Sequence, residues 1–491
     1  MNILRILIVG LACFFSVSAL AQEGDATLYN IEVYGSAASG STTPFWLVSN
    51  RYGVVPLEAG NGFLRSGVFH SSSIGRDFHF NAGLDLVGAV PRQKNVFIQQ
   101  LYAEIGYKSI ALSIGSKERY NSIIDRQLSS GDMILSPNAR PLPEININIA
   151  EFTAAPFTNG WLHIKGDFAV GRSFDSEYLR DFTSSQYTYI EDVLWHHKSF
   201  FVRILDSNND SPLSATLGLT HWAQWGGTST DNRIGQQPQS FKDFIRIVKG
   251  SEGGSNATIS DQINVLGNHY GSYYGQLQYK TTNDIIAQVY HQHFFDDKSG
   301  IELYNKLDGL WGVQLDLPQT QWLRKIVVEL LTTKHQSGPF HFIEFDRELY
   351  PDGRGGGFDD YYNNGEYTTG VSYFNRAIGS PLITSPEYNN DGRLGFPNNR
   401  VQAWHLGAEG NITPQLSYRT LFTFMEGWGR SFKPFRDKKS STSTLVELSY
   451  SHHRLSDWIF KSAVSFDTGD MVESNAGFSL SVSKRGILKQ W

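Results

Sequence analysis

Paired histidines, adjacent carboxylates and a tyrosine-rich acidic stretch are the residues of this 491-residue chain whose types could do chemistry. His291 and His293 are two apart, which puts both imidazoles on one face of a β-strand. A metal centre needs further ligands at compatible positions, and the sequence marks none. His196-His197 and His452-His453 are adjacent, so each pair splits to opposite faces of a strand and reads as interface or lumen residues. Asp352-Gly353-Arg354-Gly355-Gly356-Gly357 lacks the Gly-Lys-Ser/Thr ending of a phosphate loop. Asn389-Asn390-Asp391-Gly392 lacks the alternating oxygen ligands and closing Glu of a calcium loop. No Gly-x-Ser-x-Gly elbow occurs. Asp359-Asp360 is a carboxylate pair, but adjacency in sequence does not set two carboxylates facing each other across a glycosidic bond, so it reads as a solvated acidic loop. The expectation is a protein that is not an enzyme, with no catalytic residue, no metal site and no cofactor.

Binding chemistry is better marked. Residues 358–367 read Phe-Asp-Asp-Tyr-Tyr-Asn-Asn-Gly-Glu-Tyr, followed by Tyr373, Phe374, Asn375 and Arg376. Aromatic faces stack on the C–H surfaces of sugars, and Asp, Asn and Arg hydrogen-bond hydroxyls. The candidate polysaccharide-binding set is therefore Asp359, Asp360, Tyr361, Tyr362 and Arg376, expected on an exposed loop. Trp404 and Trp428 sit near predicted strand ends, where an interfacial aromatic girdle accounts for them equally well.

The elements that must position these residues are strands. Phe78, Phe80, Ala82, Leu84 and Leu86 interleave with His79, Asn81, Gly83 and Asp85; Ala476, Phe478, Leu480 and Val482 interleave with Gly477, Ser479 and Ser481. This period-two alternation recurs to the end of the chain and predicts about 18 strands of membrane-spanning length, an all-β antiparallel outer-membrane barrel. Short turns at 75–76, 108–109, 155–160, 206–212, 281–284, 317–322, 412–414 and 454–457 fall on one side. The long connections 38–63, 117–144, 173–190, 225–268, 335–398 and 426–442 fall on the other, and an even strand count puts both termini with the short turns. The predicted strand 443–453 follows the last long connection, and the predicted last strand, 475–483, is followed by a stretch to Trp491 that breaks the alternation. Ser240 is placed to cap a helix carrying Phe241, Phe244, Ile245 and Val248 and closed by Gly250; Tyr120, Ile123, Ile124 and Leu128 have the same helical spacing.

Composition agrees with this reading. Aromatics make up 13%, with 47 Gly and only 4 Met, and the mean hydropathy is −0.30. A wall that pairs each lipid-facing residue with a polar inward one produces this mixture. Residues 1–21 read as a secretory signal peptide: Arg5, an apolar run from Ile6 to Leu20, and Ala19-Leu20-Ala21 as cleavage site, leaving Gln22 as the mature start. Residues 22–491 then form one barrel domain. Cys13, the lone cysteine, lies in the apolar run, so the mature chain carries no disulfide and no thiol. Losing Arg5 takes Lys+Arg from 42 to 41 against 48 Asp+Glu, a net charge of −7 instead of −6, which offers no footprint for nucleic acid.

Gln127-Leu128-Ser129-Ser130-Gly131-Asp132-Met133 runs into Ser136-Pro137-Asn138-Ala139-Arg140-Pro141-Leu142-Pro143, which resembles the Leu-Ser-x-Gly…Ser-x-Asn-Ala-Arg-Pro-x-Pro signature of the capsule assembly Wzi family. Pro44-Phe45-Trp46-Leu47 with Asn50-Arg51-Tyr52-Gly53, Tyr361-Tyr362-Asn363-Asn364-Gly365 with Tyr367, Ile378-Gly379-Ser380-Pro381-Leu382 and Asn398-Asn399-Arg400-Val401 are similar to the same family. The resemblance implies an outer-membrane lectin barrel, exported to the cell outer membrane, that binds capsular or extracellular polysaccharide, with lipid as its other partner and no catalysis. It also implies helices that plug the barrel, for which the sequence offers only the two loop candidates. The alternative reading is an outer-membrane porin for small anions or sugars.

Overall fold

A computed structural model describes residues 25–491 except 93–94, 122, 207–210, 319–321, 337–358, 453 and 456. The signal peptide and its Gln22 boundary, the glycine run 352–357, Phe358 and His453 lie outside the described residues. The chain forms a closed, 18-stranded antiparallel transmembrane barrel of the outer-membrane type. Its strands are β1 (Ala26–Ala38), β2 (Asn61–Ile74), β3 (Phe78–Val90), β4 (Val96–Tyr107), β5 (Ile110–Ser116), β6 (Pro143–Ala154), β7 (Leu162–Arg172), β8 (Leu194–Ile204) and β9 (Leu213–Trp225). They continue with β10 (Asn268–Lys280), β11 (Ile286–Phe295), β12 (Gly309–Asp316), β13 (Lys325–Thr332), β14 (Val401–Thr413), β15 (Leu416–Gly429), β16 (Pro434–Tyr450), β17 (Trp458–Gly469) and β18 (Asn475–Gln490). Each strand pairs with its sequence neighbours, and β1 closes the ring by pairing with both β2 and β18. The eight predicted short turns lie at the end that carries both termini, which is the turn end; the predicted long connections lie at the other, the loop end, together with three further short connections at 91–95, 430–433 and 470–474.

The predicted strands all appear, with two corrections at the C-terminal side. The hairpin of β15 and β16 rises well beyond the predicted 443, with Gly429 opposite Pro434, so most of the expected loop 426–442 is ladder. The stretch after Ser483 is also strand. The apolar alternation stops because Lys484 and Gly486 occupy the positions that continue Phe478, Leu480 and Val482, although the pairing runs on in register to Ile487; a bulge at Leu488, between the pairs Leu28↔Ile487 and Thr27↔Lys489, then leaves one residue unpaired.

The wall shows why the alternation was legible. Leu84, Leu86, Ile98, Ile105, Leu217, Val313 and Phe478 are exposed on the outside, an apolar belt continuous with lipid, while their neighbours point to the lumen. Trp404 is among the outward, exposed residues. A ring of this many strands encloses a lumen too wide for wall side chains to fill. Here loops fill it. Segments 39–60, 117–142 and 359–398 fold back from the loop end, and Trp46, Leu128, Met133, Ile134, Tyr361, Tyr362 and Phe396 are fully buried there against lumen-facing Tyr290, Phe294 and Ala403.

The predicted helix at Ser240 forms as Phe241–Lys249, with a Ser240/Asp243 capping box and Gly250 in the left-handed region. It does not enter the lumen. Phe244 packs on the outward rings of His196, Phe168 and Trp225, so the helix lies against the outer wall at the loop end. The second predicted helix, around Tyr120 to Leu128, is absent. Its apolar spacing instead serves a turn in which the Asp125 carboxylate accepts from the Gln127 and Leu128 N–H groups, burying Ile123, Ile124 and Leu128 in the lumen. The plug is therefore mostly irregular chain, with the short buried helix Phe45–Val48, a 3-10 turn at Pro386–Tyr388 and a small ladder of 372–373 with 376–377.

Candidate functional site

The inward loops dock on polar wall residues, beginning with the 127–143 stretch. Glu329 of β13 points into the lumen and accepts four hydrogen bonds: from Ser129 Oγ at 2.6 Å, Ser130 N at 2.7 Å, Ser130 Oγ at 2.6 Å and Tyr290 Oη at 2.5 Å. Gln292 of β11 accepts from Met133 N and donates to Asp132 Oδ1, both at 3.0 Å. Asp132 also accepts from Ile134 N and Leu135 N, so its carboxylate fixes the turn that carries Met133. Gly407 on the wall lets the Leu128 backbone approach; a Cβ there would collide with Leu128 O, which is held at 2.7 Å from His405 Nε2. The plug reaches the turn end, where Lys325 pairs with Asp125 at 2.7 Å and Arg419 donates to Gln127 O.

The same stretch ties the loops to one another. Ser136 N and Oγ donate to Ile378 O and Gly379 O, Asn138 Nδ2 donates to Ala377 O, and Tyr52 N donates to Pro137 O. The motifs at 44–53, 127–143 and 361–382 are thus the seams of a plug. Lumen charges serve it too: Glu447 receives Arg51 of the plug at 2.9 Å and Arg419 at 3.3 Å, and Arg65 pairs with Asp85 and with Glu118 at 2.9 Å. A bulge in β4 turns both Gln99 and Gln100 inward, where Gln99 donates to Tyr52 O and Glu118 Oε1.

The sequence-predicted binding set lies in this plug, which corrects the expectation of an exposed stacking surface. Tyr361 and Tyr362 are each 1% exposed. Tyr362 donates to Met133 O and accepts from Ser380 N; Tyr361 accepts from Asn305 Nδ2 at 2.8 Å and packs on Phe294. Neither ring can stack on a sugar, because both faces are covered by protein. Arg376 is 5% exposed, bound to Glu387 at 2.8 Å and to Val55 O at 2.6 Å. Asp360 holds Arg430 and accepts from Asn399 Nδ2 at 2.6 Å. Asp359 is half-buried beside Ser299, and burial, with Asp297 and Asp308 adding to it, pushes its carboxyl up to about 8. Burial thus favours the protonated form of this carboxyl, where an exposed carboxylate was expected. Because the folded value is raised above the ordinary value of about 3.9, its stabilisation is complete below about pH 4 and is lost as pH rises through about 8. Hydrogen exchange of residues 359–371 should accelerate beyond its intrinsic pH dependence between pH 6 and 9, and Asp359→Asn should flatten that change. Equal protection across the range would contradict it.

The pairs His196-His197 and His291/His293 behave as their spacing predicts; of the pair His452-His453, His453 lies outside the described residues. His197 faces the lumen between Glu144 and Asp167, each at 2.6 Å, while His196 faces out. His291 and His293 share the outer face; His291 stacks on Trp311 and His293 bonds Gly300 O. Among the described residues no group of three or more metal-ligating side chains converges.

A different site opens at the loop end. A cleft of about 640 Å³ lies between the 53–58 segment, the start of β4, the helix Ser176–Phe182 and residues 373–387. Its walls are aromatic: Phe97, Phe174, Tyr178, Phe182 and Phe374, with Phe174 61% exposed. Tyr178 meets Phe374 edge-on at 5.5 Å and stacks near Phe182 at 6.0 Å. Arg140 lies between Phe97 and Phe374, 4.2 Å from each ring centroid, and Arg92 lies 5.0 Å from the Phe97 centroid on its way to the Gly53 and Val54 carbonyls. Burial and the neighbouring Arg376 and Arg140 pull Arg92 down to about 9. Of these residues, sequence reasoning marked Arg376, cited Phe374 among the sugar-stacking aromatics and quoted Arg140 in the family motif. Arg92, Phe97, Phe174, Tyr178 and Phe182 carried no motif; their convergence depends on three separate connections meeting over the mouth.

No protein-family model matches the chain and no curated protein matches it in sequence. Among solved structures it is similar to Wzi, an outer-membrane protein involved in group 1 capsule assembly in Escherichia coli and a carbohydrate-binding β-barrel. The TM-score is 0.56 at 11% identity, covering 93% of this chain and 83% of that one. It is also similar to Pseudomonas aeruginosa OccK5 (OpdH), with a TM-score of 0.48, 9% identity and coverage of 95% and 99%. Pseudomonas aeruginosa OpdQ matches with a TM-score of 0.48, 9% identity and coverage of 96% and 100%. The likeness to Wzi shows a shared barrel fold.

Proposed function

We propose that this chain is an outer-membrane member of the Wzi type, exported by its signal peptide, that holds capsular or other extracellular polysaccharide at the cell surface without catalysis. The observation that carries this reading is the pairing of buried loop segments docked on the polar residues of the lumen wall with an aromatic, arginine-bearing cleft at the loop end. A porin needs its lumen charges free to pass solute. Here Glu329, Glu447, Gln292 and Arg65 are engaged with plug residues or with one another. The loop end is the cell exterior in this reading, since long loops face outward in such barrels. The exposed Phe174 with half-buried Tyr178 and Phe182 supplies stacking faces there. Weak binding per barrel suffices, because many copies on one repeating polymer raise the effective concentration of each contact.

Purified barrel in affinity electrophoresis against surface polysaccharide from its own cells should be retarded, and Phe174→Ala with Tyr178→Ala should release it. The same preparation in a planar bilayer should show no steady conductance. Steady conductance together with unretarded migration would favour the porin reading and overturn this one.

A further inference from the structure

We infer that the loop-end cleft is selective for carboxylate-bearing sugars, with Arg92 and Arg140 as the residues that recognise the carboxylate; this rests on the polysaccharide-binding reading above. The lining holds three guanidinium groups of unequal status. Arg376 is neutralised by Glu387 at 2.8 Å. Among the described residues, Arg92 and Arg140 make no ion pair: their bonds run to the carbonyls of Gly53, Val54 and Ile98. Each of the three also keeps one buried guanidinium N–H without an acceptor, Arg92 Nε, Arg140 Nε and Arg376 Nη1. A buried charged donor left unpaired is costly, and an incoming anion relieves that cost. The acidic residues of the cleft do not meet the need. Glu387 bonds Arg376 and acts on Arg92 only through space, as the buried Asp175 does on Arg140, neither within ion-pair distance; Glu58, Glu177 and Asp181 stand exposed at the rim, where solvent screens them.

Geometry narrows the ligand further. Arg92 and Arg140 both lie over the Phe97 ring, at 5.0 and 4.2 Å from its centroid. Both guanidinium groups line the cleft beside that ring, and a planar guanidinium is the side chain suited to receive a carboxylate in two-point fashion. The exposed rings of Phe174 and the half-buried Tyr178 and Phe182 line the same cleft and offer faces for the pyranose on either side of the charged unit. Neutral glycans would find the stacking walls but leave the arginines as they are. The depressed affinity of Arg92 for its proton, at about 9, follows from its burial first and from the neighbouring positive charges of Arg376 and Arg140 second.

The test uses the full-length barrel in detergent and two probes: surface polysaccharide extracted from its own cells, and the same polymer after carbodiimide-mediated reduction of its carboxylates to alcohols. The native polymer should bind at least about tenfold more tightly than the reduced one, with the difference shrinking in high salt. Arg92→Gln and Arg140→Gln together should bring the native polymer to the level of the reduced one, and Arg92→Lys with Arg140→Lys should restore part of the gap if charge is what matters. Equal binding of native and reduced polymer, a bound polymer that carries no carboxylate, or a Gln double variant that folds and keeps full preference overturns the inference while leaving polysaccharide binding intact. No binding of the native polymer by the wild-type barrel overturns both.

Discussion

Replacing residues 118–141 with an Asn-Gly turn between Lys117 and Leu142 should convert a silent barrel into a conducting one. The deletion is geometrically mild for the wall. Ser116 pairs with Pro143 at the loop end of β5 and β6, so the two strands already stand side by side and a two-residue turn closes the hairpin. It is severe for the lumen. It removes Ile123, Ile124, Leu128, Met133, Ile134 and Ala139 from the filled interior and strips Glu329 of the three hydrogen bonds it receives from Ser129 and Ser130. A lumen enclosed by 18 strands then fills with water. In planar bilayers the intact chain should give no steady current and the deletion should give discrete openings. Retention of the folded, heat-modifiable band on gels confirms that the wall survives. A folded deletion that stays silent would show that segments 39–60 and 359–398 close the lumen alone.

The second large effect is expected at Tyr362. Its ring is buried against Phe294 and Phe396, and its hydroxyl bridges Met133 O and Ser380 N. Gly379 is required beside it, since a Cβ there would collide with both Met133 O and the tyrosine hydroxyl. Truncation to Ala leaves a cavity and two unpaired backbone groups, a loss of about 3–5 kcal/mol for an aromatic in a packed core. Tyr362→Ala should therefore loosen the plug, read as proteolytic nicking of the 359–398 segment and intermittent conductance, with polymer affinity falling as a consequence. Tyr362→Phe, which keeps the packing, should cost only about 1–2 kcal/mol. A Tyr362→Ala barrel with wild-type protease resistance would contradict the packing role.

The contrast between these residues and their appearance in the sequence has a physical cause. The wall was readable because each strand is apolar on one side and polar on the other, so Phe78 to Leu86 announce both their conformation and their orientation. The cap of the 241–249 helix was readable because Ser240 and Asp243 act over one turn. The plug has no period. Ser129 finds Glu329 across 200 positions, and Ser136 finds Gly379 across 243, so local composition could not reveal the burial. Asp360-Tyr361-Tyr362-Asn363 looks solvated because irregular backbone needs polar side chains to satisfy its groups, and inside a polar lumen that need is the same as in water. The seam motifs were visible as motifs, yet their role as plug contacts emerged only from the pairings. The cleft arginines were hidden for the opposite reason: Arg92 and Arg140 come from separate connections and meet only over Phe97.

Retention of polymer at the cell surface, as against conduction of solute, is read from where the polymer ends up when the barrel or its cleft is lost. Cells lacking the gene are complemented with the wild-type chain or with the Phe174→Ala, Tyr178→Ala variant, and polysaccharide is quantified separately on washed cells and in the medium. The account predicts unchanged total polymer, with the cell-bound fraction restored by the wild type and left at the deletion level by a variant that is folded and present in the outer membrane. Cell-bound polymer at wild-type level with that variant, or no shift to the medium on deleting the gene, would contradict it.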